Sequence, residues 1–185
     1  MSTAAAQQAR TTWKIDPAHS SVEFSVRHLM ITTVRGRFTG VRGSVINDAA
    51  DPLESSVEVV IDPATIDTRE PQRDAHLRSA DFFDVEKFPT LTFRSTGVDG
   101  KPGEDFKLTG DLTIHGVTRP VVLDVQSEGQ IKDAWGGLRS GFTATAKIRR
   151  SEFGLTWNQL LEAGGVTVSD EVKISLDVQL VNADA

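Results

Sequence analysis

From Ser20 to His28 the chain alternates without a break: Val22, Phe24, Val26 and His28 share one face, and Ser21, Glu23, Ser25 and Arg27 share the other. A period of two marks a strand with one buried face. The pattern returns in Ser55 to Asp62, with Val57, Val59 and Ile61 inward, and in Thr90 to Thr96, with Leu91 and Phe93 inward. Phe106 to Ile114 sets Phe106, Leu108, Gly110, Leu112 and Ile114 on one face, and after the His115-Gly116 turn a returning strand carries Val121, Leu123 and Val125. Leu138 to Ile148 and Glu171 to Val181 close the series. Their inward residues are Leu138, Ser140, Phe142, Ala144, Ala146 and Ile148, then Val172, Ile174, Leu176, Val178 and Leu180. A short strand, Thr12 to Asp16, precedes them. Val34 to Asn47 reads as one long β-prone run in which Gly36, Gly40 and Gly43 predict bulges or bends.

About eight principal strands follow from this pattern, each apolar on one face only. That excludes a parallel α/β sheet, whose strands are apolar on both faces and separated by helices. An all-β sandwich and an up-and-down antiparallel barrel remain. Long strands, glycines where a closing sheet must bend, and edges that closure would remove favour the eight-stranded barrel. Gly110, Ser140, Ala144 and Ala146 are small for a tightly filled interior. Either phenylalanines from the facing wall take up that space or a ligand does, and periodicity leaves both open.

One long interval breaks the alternation. Gln72 to Pro89 carries Arg73, Asp74, His76, Arg78 and the phenylalanines Phe82, Phe83 and Phe88, with a helical turn expected near Arg73 to Ser79. A connection of this length inside a domain is usually functional. Asp74 and Arg78 stand one helical turn apart, the spacing of an ion pair. The segment reads as a crossover at one barrel end, its phenylalanines sealing apolar space and Arg73, His76 and Arg78 facing a mouth or solvent. Ser151 to Ser169 is irregular, with Trp157 placed to plug or line the same space.

Composition narrows the function. Of 185 residues, 38% are hydrophobic, enough for one core and one domain. Twenty Lys and Arg against 26 Asp and Glu give a net charge of -6 without blocks of like charge, which argues against a nucleic-acid surface or an anionic-membrane patch. Cysteine is absent, so thiolate chemistry and Cys-zinc sites are excluded. Residues 1–11 read as a frayed arm and 12–182 as the barrel domain. The polar N-terminus lacks the pattern of a secretory signal, and no apolar run reaches membrane-spanning length, so a cytoplasmic location is expected.

The four histidines, His19, His28, His76 and His115, form no local metal motif. Neither a Gly-x-Ser-x-Gly elbow nor a glycine-rich phosphate loop occurs. No catalytic residue, metal or cofactor is assigned. A metal-dependent hydrolase using His and Asp residues, and a stress-response interaction protein with a filled barrel, stand as alternatives. His28 is read first as a hydrogen-bonded structural group.

Trp13-x-Ile-Asp-x-x-His19-Ser-x-Val22-x-Phe24-x-Val26-x-His28, Gly36-x-Phe38 with Gly43, and Arg73-Asp-x-His76-Leu-Arg78-Ser-x-Asp81-Phe-Phe-Asp84 with Phe88-Pro89 form an ordered series of motifs. Leu108-Thr-Gly-Asp-Leu-Thr-Ile-His-Gly-Val-Thr-Arg-Pro120 and Arg149-Arg-Ser-x-Phe-Gly154 continue it. From about Trp13 to Val181 the chain resembles the YceI family of lipocalin-like, polyisoprenoid-binding proteins. The resemblance implies a lipocalin-like barrel whose tunnel holds a polyprenyl chain, an isoprenoid quinone or another long-chain amphiphilic lipid, without catalysis. Its members are commonly periplasmic, and homodimers occur among them.

On that reading Phe24, Val26, His28, Phe38 and Val59 line one part of the tunnel. Phe82, Phe93, Leu112, Phe142 and Ala144 extend it, followed by Ala146, Trp157, Ile174 and Leu176. Arg73, His76 and Arg78 form a polar mouth.

Overall fold

The first two strands set the geometry. β1 (Arg10–Ile15) and β2 (Ser21–His28) are separated by one 3-10 turn, Pro17–His19, and pair with β4 (Val41–Asp48) and β3 (Thr32–Phe38) respectively. β5 (Ser56–Ile61) and β6 (Ile66–Asp67) run alongside, β5 on β4 and β6 on β3. After the helix α1 (Pro71–Arg78) come β7 (Leu91–Gly100), β8 (Phe106–Ile114), β9 (Val117–Lys132), β10 (Leu138–Arg149) and β11 (Glu171–Asn182). β7 pairs with β5, and each later strand pairs antiparallel with its predecessor. β11 then closes on both β1 and β2. Counting β1 with β2, β3 with β4, and β5 with β6 as single staves, the computed structural model is a closed eight-stranded antiparallel barrel; it describes residues 10–101 and 103–184.

Several boundaries differ from the pattern. The run Val34 to Asn47 is broken at Thr39 and Gly40, where the Gly40 N–H donates to Thr65 Oγ1 at 2.8 Å. A Cβ on Gly40 would lie 2.8 Å from Thr65 Cγ2, so the close approach requires glycine. β9 continues to Lys132, well past Val125, along a stretch that is exposed on both faces and so lacks a hydrophobic period. β1 begins at Arg10, two residues into the expected arm, where Arg10 Nε meets Asp48 Oδ2 at 2.8 Å. Residues 1–9 of that arm lie outside the described residues.

The buried core runs through the inward positions of the meander, with Leu91, Phe93, Leu108, Ile114, Val121 and Leu123 joined by Phe153 and Leu155 from the β10–β11 connection. Two small inward positions are filled by phenylalanines, but from adjacent strands rather than the facing wall. A Cβ at Gly36 would lie 2.4 Å from the Phe24 ring, and one at Gly110 would lie 2.3 Å from that of Phe93. The β2–β3 turn, α1 with its flanking loops, the β8–β9 turn and the β10–β11 connection gather at one end, here the helical end. The β4–β5, β7–β8 and β9–β10 connections occupy the opposite end.

Candidate ligand cavity

Where phenylalanine does not fill the barrel, an internal cavity of about 1010 Å³ remains. It is bordered at the helical end by His28, Arg73, His76, Arg150 and Trp157, and at the opposite end by Asn47, Leu53, Lys101 and Gln130. The void thus follows the barrel axis instead of forming a side pocket. Its size is at the upper limit of ordinary small-molecule sites, about 300–1,000 Å³.

The helical end is built from a short polar network. Glu70 caps α1, its carboxylate accepting from the Gln72 and Arg73 N–H groups. The buried Asp74 accepts from Thr68 N at 2.9 Å and Thr68 Oγ1 at 2.6 Å through one oxygen. Arg73 reaches back to the same threonine, with Nε on Oγ1 at 2.7 Å and Nη2 on the carbonyl at 2.8 Å. Its remaining N–H groups are available at the cavity wall. Beyond it, His76 Nε2 bonds Asp81 Oδ2 at 2.8 Å, and the imidazole stands edge-on to Phe82 and Trp157 with centroids 5.1 and 4.8 Å apart.

Arg150 fixes the other side of this aromatic group. Its guanidinium is buried and donates to the Leu155, Trp157, Val168 and Ser169 carbonyls at 2.7 to 3.3 Å. Burial lowers its pKa, but a guanidinium remains charged. A cation thus folds the irregular β10–β11 connection onto the barrel end by satisfying its backbone.

The YceI-like domain model matches residues 13–180, nearly the whole barrel. The chain belongs to the YceI family. It is 44% identical to a UPF0312 protein of Enterobacter sp. strain 638 over 146 residues, 78% of this chain and 76% of that one. Among solved structures, a Campylobacter jejuni YCEI protein is 32% identical with a TM-score of 0.71, covering 83% of this chain and 87% of its own. A polyisoprenoid binding domain from Saccharophagus degradans shares the fold, with a TM-score of 0.63 at 17% identity over 92% of this chain and 98% of its own.

Within this YceI barrel the cavity brings together most of the residues expected to line the tunnel. Phe24, Val26, His28, Phe38, Val59, Phe82 and Phe93 border it, as do Leu112, Phe142, Ala144, Trp157, Ile174 and Leu176. Arg73 and His76 also border it. Ala146 does not, although it is buried in the same core cluster as Ala144. Arg78 turns away, donating to the Ala64 and Ile66 carbonyls at 2.8 and 3.1 Å, so it braces β6. The expected Asp74–Arg78 ion pair is not formed, because backbone carbonyls claim the arginine and Thr68 claims the carboxylate. Phe88 packs against His115, centroids 4.6 Å apart, and over Gly116, closing the β8–β9 turn rather than the cavity. The His28 ring has no hydrogen-bond partner among the described residues and faces the cavity, contrary to its reading as a hydrogen-bonded structural group.

The sequence assigned no role to Thr68, nor to Arg150 beyond its place in the Arg149-Arg-Ser-x-Phe-Gly154 motif. For Arg150 a signal existed: it is in phase with Ala144, Ala146 and Ile148, so the alternation of β10 aims it inward. Nothing in the local pattern marks Thr68. The other histidines are dispersed, with His19 on Asp16 and His115 on Phe88.

Proposed function

We propose that this YceI-family protein binds, stores or carries an amphiphilic lipid with a long isoprenoid chain, a polyisoprenoid or an isoprenoid quinone, without catalysing its conversion. The axial cavity of about 1010 Å³ carries this reading. Its walls are chiefly Phe, Val, Leu and Ile, which give broad apolar contact with few directional demands and suit a flexible hydrocarbon. The head group, a hydroxyl, carbonyl or phosphate, lies at the helical end, where Arg73 and His28 keep uncommitted polar groups. The polyisoprenoid-binding neighbour supports the ligand class.

Each buried CH₂ contributes about 0.8 kcal/mol. A chain of tens of carbons would exceed the ceiling of about 18 to 21 kcal/mol on non-covalent affinity, so lost chain freedom offsets much of the gain. Slow release follows. Titration of lipid-depleted protein with a short-chain isoprenoid quinone tests the reading through quenching of tryptophan fluorescence. Saturable, one-to-one quenching is expected, and quenching that never saturates contradicts it.

A further inference from the structure

The β2–β3 hairpin turns through three residues, Leu29 to Ile31; Leu29 and Met30 are both left-handed with φ of 50° and 62°, and Ile31 N–H donates to the His28 carbonyl at 3.1 Å. This turn geometry favours Asn-Gly, and bulky side chains adopt it against steric resistance. Here it exposes three large apolar residues in succession, with Met30 53% and Ile31 74% exposed. Leu160, on the neighbouring β10–β11 connection, is also 87% exposed. The tip abuts that connection, where the Leu29 N–H donates to the Thr167 carbonyl at 2.8 Å and Met30 lies beside Gly165. Both His28 and Thr167 border the cavity.

The outer wall below the tip is basic. Arg35 on β3, Lys173 on β11 and Lys147 on β10 fall in one cross-strand row, because Ser25 pairs with both Arg35 and Lys173, and Lys173 with Lys147. Arg27 and Arg149 stand outward one step nearer the tip, with Glu171 among them in a long contact to Lys147 at 3.8 Å. Five cations from four strands therefore gather beside the apolar tip of a chain whose net charge is -6. Their separation in sequence hides them, which is why charge counting argued against a membrane patch.

We infer that the Leu29-Met30-Ile31 tip and its basic wall dock on the surface of an anionic lipid bilayer, bringing the helical end of the cavity to the membrane. An apolar wedge flanked by Lys and Arg is the composition that seats in a headgroup region, and the two attractions add. The tip's backbone strain fits a feature kept for contact, since Asn-Gly would make the turn more easily. The inference rests on the lipid-binding reading for its purpose, yet docking is measurable whether or not the cavity holds lipid.

Co-sedimentation with phosphatidylcholine vesicles, with and without phosphatidylglycerol, tests it. The full chain should pellet with the anionic vesicles and lose that association as salt rises. Leu29→Asn combined with Met30→Gly should weaken association by about tenfold or more while thermal stability stays level or rises. Arg35→Glu with Lys173→Glu should weaken it comparably on anionic vesicles. Ala144→Trp, which fills the cavity, should pellet like the parent protein. Parent protein that stays in the supernatant overturns the inference and leaves the tip to a protein partner. It is equally overturned by a tip variant that pellets undiminished, or by Ala144→Trp abolishing association.

Discussion

Arg150 donates through Nη1 to the Trp157 carbonyl at 2.9 Å, and the indole it positions meets the His76 ring at 4.8 Å. One buried cation thereby ties the last connection of the chain to α1 across the barrel end. Arg150→Met should destabilise the protein by about 3 kcal/mol, since charged hydrogen bonds to several buried carbonyls are lost together. Arg150→Lys should recover little, because an ammonium cannot reproduce the planar fork. Urea denaturation of the three proteins measures both, and full rescue by lysine contradicts the role given to the guanidinium.

Ala144 and Ala146 are neighbours on the inward face of β10, but only Ala144 borders the cavity. Ala144→Trp should abolish quinone quenching while the cavity absorbs the ring with a small stability cost. Ala146→Trp must displace packed side chains and should cost about 1–3 kcal/mol or more. Equal thermal shifts for the two variants would contradict the boundary drawn between the filled and open parts of the barrel.

Gly110→Ala probes the filled part. A Cβ there meets the Phe93 ring at 2.3 Å and the Arg94 carbonyl at 2.6 Å, and the backbone contact cannot yield cheaply. A loss of about 1–3 kcal/mol is expected by denaturation, and an unchanged midpoint would refute the close packing.

Arg139 joins two carboxylates at the opposite end, Asp133 at 2.7 Å and Asp16 at 3.0 Å. The hydrogen bond from Arg139 is the main cause of the lowered Asp133 pKa, and that from His19 the main cause of the lowered Asp16 pKa. Both groups release their protons more readily folded than unfolded, where an aspartate titrates near about 3.9. Their stabilisation is therefore full above about pH 4 and is lost as pH falls through the folded values. Arg139→Met should be less stable than the parent protein at neutral pH, with the gap closing in acid. Denaturation curves across that range measure the gap, and one that stays constant with pH contradicts the linkage.

The barrel was legible because its strands keep one dry face, and Val22, Phe24 and Val26 announce that face by alternation alone. Most cavity-wall residues followed from the same phase. The alternation could not distinguish Ala144 from Ala146, because whether an inward residue meets space or packing depends on staves far away in sequence. Pairing of Asp74 with Arg78 failed for a related reason: helical spacing was right, but Thr68 and the Ala64 carbonyl offered better partners from outside the helix. The five cations beside the β2–β3 tip were invisible until register aligned β3, β2, β11 and β10.

Organic extraction of natively purified, untagged protein, followed by mass spectrometry, tests the central claim most directly. An amphiphilic isoprenoid lipid recovered in near-stoichiometric amount, and absent from Ala144→Trp prepared identically, is the predicted result. Parent protein that yields no lipid, and takes none up when offered isoprenoid quinone or polyprenol, would contradict it.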